Sequence, residues 1–253
     1  QALDGLSFSL EKGRILGLVG ESGSGKSLTA MALMGLLPLI GGRILPGSSV
    51  RLDGTELTGL PEARWRALRG RRVALISQNP MTSLDPLRRV GEQIDQVGRL
   101  HRGLDAAGAR ALSIALLEQL RIPDAATVHG QYPHQMSGGM KQRVVIAMAL
   151  AGEPELLIAD EPTTALDVTI QAQIIQILVE LVRSRGLALL LITHDMGVVA
   201  QACDDVAVLY AGRLAERHSV QGIFDHAAHP YTRALIACIP RPGQARGTLR
   251  GIA

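Results

Sequence analysis

Short aliphatic runs alternate with turn signals towards both ends of the chain, and this pattern predicts a sheet of buried strands. Such runs are typical of strands that are covered on both faces. The runs that we interpret as strands occupy residues 6–10, 14–19, 73–76, 156–159, 187–192 and 205–210. Val50 to Leu52 alternates like an edge strand and ends at Asp53-Gly54, a hairpin signal. Residues 213–216 are expected to pair antiparallel with the strand before them.

Helical periodicity replaces the strand pattern in the middle of the chain. Between Met81 and about Gly152 the pattern is mostly helical, and it is clearest from Ala106 to Leu120, where apolar residues recur at intervals of three and four. Further helices are expected at residues 28–36, 61–69, 144–151, 168–185, 219–224 and 231–239. The order of the elements predicts an α/β fold, in which a sheet core with an antiparallel β part carries an inserted α-helical subdomain.

We expect these elements to form a single domain over residues 1–253. We assign the α/β core to residues 1–78 and 155–226, the helical subdomain to residues 79–154, and a C-terminal extension to residues 227–253. The tail after Pro240 is rich in Pro, Gly and Arg, and we expect it to be poorly ordered.

Composition and charge narrow the class of function. Hydrophobic residues make up 47% of the chain and aromatic residues only 2%, so the core must be aliphatic. The net charge of +3 does not by itself indicate nucleic acid. No apolar run approaches the roughly 18 residues that a membrane span needs, so action on a membrane would require a separate subunit. Cys203 and Cys238 are far apart and are interpreted as reduced, buried thiols.

An arginine-rich stretch lies at the short helix of residues 61–69 and just after it. Its basic side chains are Arg64, Arg66, Arg69, Arg71 and Arg72. They form either a solvated helix face or a surface that approaches anionic lipid headgroups.

The clearest chemical signal is a phosphate-binding loop between a strand and a helix. Gly20-Glu21-Ser22-Gly23-Ser24-Gly25-Lys26-Ser27 fits G-x-x-x-x-G-K-[ST], and Leu28 continues into a helical pattern. Glycines let successive N–H groups point inward as an anion nest, and the following helix adds the positive end of its dipole. We expect Lys26 to reach the β- and γ-phosphates of a nucleotide and the Ser27 hydroxyl to ligate Mg²⁺.

Polar side chains follow three further predicted strands. Asp160 and Glu161 end one strand, and Gln78 and His194 follow two others. Since the carboxyl ends of parallel strands face the ligand crevice, Asp160 is expected to hold Mg²⁺ and Glu161 to polarise the attacking water. Gln78 is a candidate for the metal's shell, and His194 a candidate donor to the γ-phosphate.

A second helix start is a further candidate phosphate-binding surface. Ser137-Gly138-Gly139 precedes an apolar helix, and Ser137 is a plausible N-terminal cap. The segment is either an ordinary capped helix or a second phosphate-binding surface. The second reading suggests that two chains sandwich nucleotide between them.

The order of these motifs resembles that of ATP-binding-cassette ATPases over nearly the whole chain. The matching motifs are Walker A (residues 20–27), the Q-loop (Gln78), the signature (Ser137 to Gly139), Walker B (Leu156 to Asp160) with Glu161, the D-loop (Ala165-Leu166-Asp167) and the switch His194. The resemblance implies a P-loop NTPase core of the RecA-like type. It also implies ATP and Mg²⁺ as cofactors and a head-to-tail pair in which each ATP contacts Walker A of one chain and the signature of the other.

Four shorter motifs resemble the ATP-binding subunits of bacterial oligopeptide, dipeptide and nickel importers. They are Gln78-Asn79-Pro80, Ser83-Leu84-Asp85-Pro86, Met136 to Met140 with Gln142-Arg143, and His229-Pro230-Tyr231-Thr232. Met136 and Met140 depart from the common Leu-Ser-Gly-Gly-Gln signature. An aromatic residue that stacks on adenine is not identifiable, since Phe8 looks like a strand residue, and a cysteine-rich C-terminal segment of relatives does not occur before Ala253.

This resemblance implies a transport-coupled ATPase. Its expected partners are a second ABC ATPase subunit, transmembrane permease subunits and, indirectly, a solute-binding protein, without nucleic acid. Its expected place is the cytoplasmic face of the bacterial inner membrane, as a peripheral subunit. The alternatives are a non-transport ABC ATPase in DNA repair, chromosome structure or translation, a non-catalytic subunit and a P-loop kinase. The solute stays open, as does the choice between homodimer and heterodimer.

Overall fold

The structure is a computed structural model that describes residues 2–164 and 166–239. The D-loop residue Ala165, the proposed tail after Pro240 and the chain end at Ala253 lie outside the described residues.

Eight strands and eleven α-helices are found in the described part of the chain, together with two short 3-10 turns. In the first half they are β1 (Ile15–Val19), α1 (Lys26–Leu33), β2 (Arg51–Leu52), β3 (Thr55–Glu56), α2 (Glu62–Leu68), β4 (Val73–Ile76), α3 (Pro80–Ser83), α4 (Val90–Arg102) and α5 (Ala106–Gln119). In the second half they are α6 (Ala125–His129), α7 (Gly138–Leu150), β5 (Leu156–Asp160), α8 (Val168–Arg185), β6 (Ala188–Thr193), α9 (Met196–Ala202), β7 (Asp205–Tyr210), β8 (Arg213–Ser219), α10 (Val220–His226) and α11 (Pro230–Ala237).

The central sheet has six strands in the order β4-β5-β6-β1-β7-β8. Its first five strands are parallel, and β8 pairs antiparallel with β7 through a register shift at Val208 and Leu209. Strands β2 and β3 form a separate antiparallel hairpin around Asp53 and Gly54, as predicted. The expected α/β class with an antiparallel part is therefore confirmed.

Burial on both faces explains why the central strands are so apolar. Every residue of β1 and β6 is buried. One face of the sheet packs, together with α4, α5, α7 and α8, into the largest apolar cluster, in which Ile146, Leu157 and Ile174 are fully buried. The other face packs against α1 through Ala30 and Met34.

The predicted strand at residues 6–10 is wrong, because this segment has no strand assignment. Leu6, Phe8 and Leu10 nevertheless alternate, since they pack one face of an extended segment onto the cluster under α1. Alternation of apolar and polar residues indicates that one face of a segment is buried. A strand also needs a neighbouring strand to which its backbone is hydrogen-bonded. Phe8 is therefore a half-buried packing residue.

Two predicted helix limits also shift, for local reasons. Helix α1 ends at Leu33 instead of residue 36, because Gly35 adopts a left-handed φ of 63° and packs against the Trp65 ring. Helix α7 begins at Gly138, before the apolar run that starts at Val144, and the predicted cap at Ser137 is confirmed, since its hydroxyl accepts from the Met140 N–H.

Two of the five arginines in the arginine-rich stretch make contacts inside the molecule. Arg69 donates to the carbonyl oxygens of Met34 and Gly35, at 2.8 and 2.9 Å, and pairs with Glu62. Arg72 makes a bidentate ion pair with Glu155. Arg69 and Arg72 therefore support packing, while Arg64 and Arg71 are exposed.

Candidate functional site

The candidate site lies where four neighbouring parallel strands end. The loop of residues 20–27 follows β1, Gln78 follows β4, Asp160 and Glu161 end β5, and His194 follows β6. Because these strands are adjacent and parallel, their carboxyl ends meet at one edge of the sheet. Residues more than a hundred positions apart thus come together, as the sequence predicted.

The loop of residues 20–27 is packed closely against residues from other parts of the chain. A Cβ at Gly20 would collide with the Leu209 carbonyl oxygen, and a Cβ at Gly25 with the Leu3 side chain. Gly23 and Gly25 have φ values of 82° and 103°, which favour glycine. The Gly212 N–H donates to the Ser24 carbonyl oxygen at 3.0 Å, so the turn between β7 and β8 supports the loop.

The N-terminus of α1 presents open N–H groups at this loop. The first intrahelical bond runs from the Thr29 N–H to the Gly25 carbonyl oxygen at 2.9 Å, and no side chain caps the helix. The N–H groups of Lys26, Ser27 and Leu28 therefore have no intrahelical acceptor. They provide donors for an anion at the positive end of the helix dipole.

Two N–H groups of the loop are used by the protein itself. The Ser24 N–H donates to the Glu21 carbonyl oxygen at 3.2 Å, and the Glu21 N–H donates to the Tyr231 hydroxyl at 2.9 Å. Glu21 and Ser24 were both predicted to contact nucleotide. In the structure their N–H groups bond within the protein and shape the loop, so a contact of these two residues with nucleotide stays a prediction.

Lys26 is the buried cation of the site. Its side chain is only 6% exposed, and its Nζ donates to the carbonyl oxygens of Gly20 and Glu21 at 2.6 and 2.9 Å. Burial lowers the pKa of Lys26 from its ordinary value, although the charges of Glu161 and Asp160 oppose this shift. A further anion beside this ammonium would favour its charged form.

Two buried oxygen atoms of the site lack a hydrogen-bond partner within the described residues. They are Ser24 Oγ and Asp160 Oδ1. Burial also raises the pKa of Asp160, although a hydrogen bond from Ser27 acts in the opposite direction. Such orphaned polar atoms are costly unless a ligand satisfies them. The carboxylate of Asp160 and the hydroxyl of Ser27 that bonds to it are oxygen ligands that fit Mg²⁺. The N–H donors of the loop fit phosphate.

Glu161 is a convergence point for donors from three parts of the chain. Its Oε2 accepts from Gln78 Nε2 at 3.0 Å and from Thr164 Oγ1 at 2.9 Å, and its Oε1 lies 3.2 Å from His194 Nδ1. The Glu161 side chain is 16% exposed and the His194 side chain 65% exposed. The carboxylate is thus held firmly at the mouth of the site.

The electrostatics keep Glu161 ionised. Burial acts to raise its pKa, but hydrogen bonds from Thr164 and His194, with the charges of His194 and Lys26, outweigh burial and lower it. Its backbone φ is 47°, and its N–H donates to the Ile192 carbonyl oxygen at 2.9 Å. An ionised carboxylate in this fixed place can accept a hydrogen bond from a water molecule.

The predicted signature residues lie apart from the loop of residues 20–27. Ser137 Oγ accepts from the Met140 N–H at 3.3 Å and caps α7. The nearest neighbours of a Cβ at Gly138 and at Gly139 are the side chains of Leu166 and Ile170. The single chain therefore presents Ser137 to Gly139 beside the start of α8, and not over its own phosphate loop.

The start of α8 is fixed by Asp167. Its Oδ1 accepts from the Ile170 N–H at 2.9 Å. Asp195 caps α9 in the same way and also accepts from Gln171 Nε2 at 3.2 Å. The bond from Gln171 to Asp195 joins α8 to the start of α9.

Sequence reasoning missed two contributors to the site. Thr164, three positions after Glu161, donates to that carboxylate, and Tyr231 binds the phosphate loop from the C-terminal side of the chain. The positive φ of Glu161 folds the chain back so that Thr164 can reach it, which apolar periodicity does not reveal. Tyr231 lies in the His229-Pro230-Tyr231-Thr232 motif, and that motif was the one feature of the sequence that pointed to this part of the chain.

A phosphate-binding loop and an acidic strand end in a parallel sheet define a P-loop nucleoside triphosphatase. The chain belongs to the ATP-binding-cassette transporter family, whose model, "ABC transporter", matches residues 3–164, and the "Oligopeptide/dipeptide transporter, C-terminal region" matches residues 215–253. The expectation of a transport-coupled ATPase of this family is confirmed.

Curated relatives are similar over most of the chain. The oligopeptide transport ATP-binding protein OppD of Haemophilus influenzae is 51% identical over 95% of this chain and 73% of its own length. The probable D,D-dipeptide transport ATP-binding protein DdpD of Escherichia coli is 48% identical over 99% of this chain and 76% of its own. The glutathione import ATP-binding protein GsiA of Pectobacterium atrosepticum is 51% identical, and the match spans 97% of this chain but 40% of GsiA.

Solved structures agree with the fold. The dimeric ATP-binding cassette MJ0796, in a post-hydrolysis state with ADP and phosphate, superposes with a TM-score of 0.75 at 26% identity, over 87% of this chain and 90% of its own. The cassette cbiO1 from Clostridium perfringens gives 0.74 at 27% identity, over 89% and 84%. Within the described residues, no helix is long and apolar enough to cross a membrane.

Proposed function

We propose that this chain is the ATP-hydrolysing subunit of a bacterial importer that takes up peptides or nickel-type solutes. The observation that carries the proposal is the convergence of Gln78, Thr164 and His194 on Glu161 beside an open phosphate loop. A non-catalytic cassette would not need an ionised carboxylate there. The peptide transporters and the glutathione importer among the relatives favour peptides as the solute class.

The loop and the start of α1 bind the nucleotide in this proposal. The N–H groups of Ser22, Gly23, Gly25 and of Lys26 to Leu28 surround the phosphates. Lys26 exchanges its bonds to the carbonyl oxygens of Gly20 and Glu21 for the β- and γ-phosphate oxygens. This exchange is favourable because a charged partner binds an ammonium more strongly than a neutral carbonyl does.

The proposed Mg²⁺ ligands include one buried oxygen atom that has no partner within the described residues. Ser27, Asp160 and Gln78 would hold the ion, directly or through water, and when bound it would neutralise charge on the transferred phosphoryl group. Asp160 supplies the buried Oδ1 that has no partner within the described residues. Gln78 donates to Glu161 through Nε2 at 3.0 Å, so the atom that would hold the metal is its amide oxygen Oε1.

Glu161 orients and polarises the attacking water, and His194 donates to the γ-phosphate. Its lowered pKa makes Glu161 an ionised acceptor at neutral pH. The amide group of Gln78 would thus link the bound metal to the carboxylate, because its nitrogen donates to Glu161 Oε2 while its oxygen ligates.

A second chain completes the site in this proposal. Ser137, Gly138 and Gly139 face the start of α8, where Asp167 lies, so they can contact ATP only on another chain. The dimeric state of the similar cassette MJ0796 supports such pairing. The partner is a copy of this chain or a homologous cassette.

Transport requires further subunits, which we propose to be transmembrane permeases served by a solute-binding protein. The cassette would then bind peripherally at the cytoplasmic face of the inner membrane. The functions of the relatives support this arrangement, since their names describe import and transport.

The test is the apparent mass of the Glu161→Gln variant in solution, with and without Mg²⁺ and ATP. We expect a monomer that becomes a dimer only with ATP, because the variant binds ATP and cannot hydrolyse it. Lys26→Ala in the same background is the control and should stay monomeric. An unchanged mass together with tight ATP binding would contradict self-pairing, and absence of ATP binding would contradict the proposed function itself.

A further inference from the structure

The C-terminal part of the chain reaches the phosphate loop through one hydroxyl group. Tyr231 Oη accepts the Glu21 N–H at 2.9 Å, although the two residues are 210 positions apart. Tyr231 is only 6% exposed, so water cannot easily replace this bond. The bond therefore joins the region matched by the oligopeptide/dipeptide C-terminal family to the loop.

The backbone of Glu21 is hydrogen-bonded at both its N–H and its carbonyl oxygen. Its N–H is bound by Tyr231, and its carbonyl oxygen accepts from Lys26 Nζ at 2.9 Å and from the Ser24 N–H at 3.2 Å. A rotation of the Glu21 backbone would therefore move both the resting partner of the Lys26 ammonium and the turn that precedes Gly25. Tyr231 opposes that rotation from outside the loop.

The position of Tyr231 is fixed by the turn that precedes α11. Glu216 on β8 accepts the N–H groups of Ala228 and His229 at 2.8 and 3.1 Å. Arg233 donates back to the carbonyl oxygens of Ala227 and Ala228. His229 Nδ1 accepts the Tyr231 N–H at 3.1 Å and caps the helix.

The ring of Tyr231 is a rigid support for its hydroxyl. It packs with Val19, Val208 and Ile223 in an apolar cluster, and its centroid lies 4.5 Å from that of Tyr210. Burial raises the pKa of Tyr231, so the side chain stays a neutral phenol near neutral pH. The hydroxyl is thus presented at one fixed place beneath Glu21.

We propose that Tyr231 is a positioning residue of the ATP site, which holds the phosphate loop in its binding conformation through the Glu21 N–H. The proposal rests on the function proposed above and adds to it a role for the His229-Pro230-Tyr231-Thr232 motif. The segment that carries this motif then contributes to the nucleotide site through Tyr231.

The test compares Tyr231→Phe with Tyr210→Phe in the full chain. Tyr231→Phe removes the acceptor of the Glu21 N–H but keeps the buried ring, and Tyr210→Phe removes the hydroxyl of the neighbouring, half-exposed ring. Amide hydrogen exchange of Glu21 is measured by NMR in nucleotide-free protein, with the buried Leu18 amide of β1 as internal reference. The affinity for ATP with Mg²⁺, KM and kcat are measured in parallel, and thermal midpoints verify that both variants fold.

We expect Tyr231→Phe to speed exchange at Glu21 but not at Leu18. We also expect it to raise the Kd and the KM for ATP by about 2- to 12-fold, the range that corresponds to one hydrogen bond. The kcat should change little, because a loop that binds ground state and transition state equally affects KM alone. A purely structural role would instead lower the thermal midpoint with KM unchanged.

Two results would overturn the proposal. One is unchanged Glu21 exchange or unchanged ATP affinity in Tyr231→Phe, and the other is an equal rise of KM in Tyr210→Phe. Failure of the proposed function has a different signature, because the wild-type chain would then not bind ATP at all, whatever the exchange at Glu21.

Discussion

Two inactive variants of this chain should restore each other's ATP hydrolysis when they are mixed. Ser137→Arg blocks the signature surface, and Lys26→Ala disables the phosphate loop. In a mixed pair, one site combines the intact loop of the first variant with the intact signature of the second. Each mixed pair has one working site out of two, hence about half of the wild-type turnover per pair if the sites act independently.

The structure indicates that Ser137→Arg tests the site and not the fold. The bond from the Met140 N–H to Ser137 Oγ is long, at 3.3 Å, and loss of a helix cap costs about 0.5–2 kcal/mol. Against a typical free energy of unfolding of roughly 5–15 kcal/mol, the variant should stay folded. Ser137→Ala is the matched control, because it loses the same cap without adding an arginine.

Phosphate release at saturating Mg²⁺ and ATP is the assay. Each variant alone should turn over at least about 100-fold more slowly than the wild type, the scale of losing a donor to the transition-state charge. The one-to-one mixture should recover activity, and its recovery should vary with the mixing ratio. Normal turnover by Ser137→Arg alone, or a mixture that forms pairs yet stays inactive, would refute the shared site.

Two further predictions concern single carboxylates. Glu161→Gln should lower kcat by about 10²- to 10⁴-fold while the chain still binds ATP, and single-turnover measurements can verify this. Glu180→Gln, which removes a carboxylate from an exposed ion pair with Arg121, is the control, and retained turnover in Glu161→Gln would exclude the assigned role. Burial acts to raise the pKa of Glu216, but bonds from the N–H groups of Ala228 and His229 outweigh it, so the pKa lies below its ordinary value of 4.5. The stability that Glu216 contributes is complete above the unfolded pKa and is lost as the pH falls through the lower folded pKa. The thermal midpoint of Glu216→Gln should therefore fall less steeply than that of the wild type between about pH 5 and 3; equal slopes would contradict this.

The local sequence was sufficient to predict an element when the pattern of apolar residues within that element alone defined it. The strand Val73–Ile76 and the helix Val168–Arg185 have the predicted limits, because burial on both faces and a strong apolar stripe leave little ambiguity. The phosphate loop could also be predicted from the sequence, since its glycines and Lys26 all lie within eight consecutive residues.

Apolar patterns failed where hydrogen-bond partners, and not burial, decide the outcome. Residues 6–10 alternate like a strand, but they belong to no strand and are not part of either sheet. Helix α7 began earlier than its apolar run suggested, because the cap at Ser137 sets its start and its first turn opens with two glycines. In both cases the spacing of the apolar residues indicated which side chains are buried. The backbone conformation depended on hydrogen-bond partners, which that spacing does not show.

The sequence by itself determined the class of the protein and identified the candidate phosphate-binding loop and the acidic residues at the strand end. Only the tertiary structure decided how those residues are connected. The strand order places Gln78, Glu161 and His194 within hydrogen-bond distance, and packing of α11 brings the Tyr231 hydroxyl beneath Glu21. The physical reason is that a motif fixes chemistry over a few neighbouring residues, while contacts across 83 or 210 positions depend on how the whole sheet is assembled.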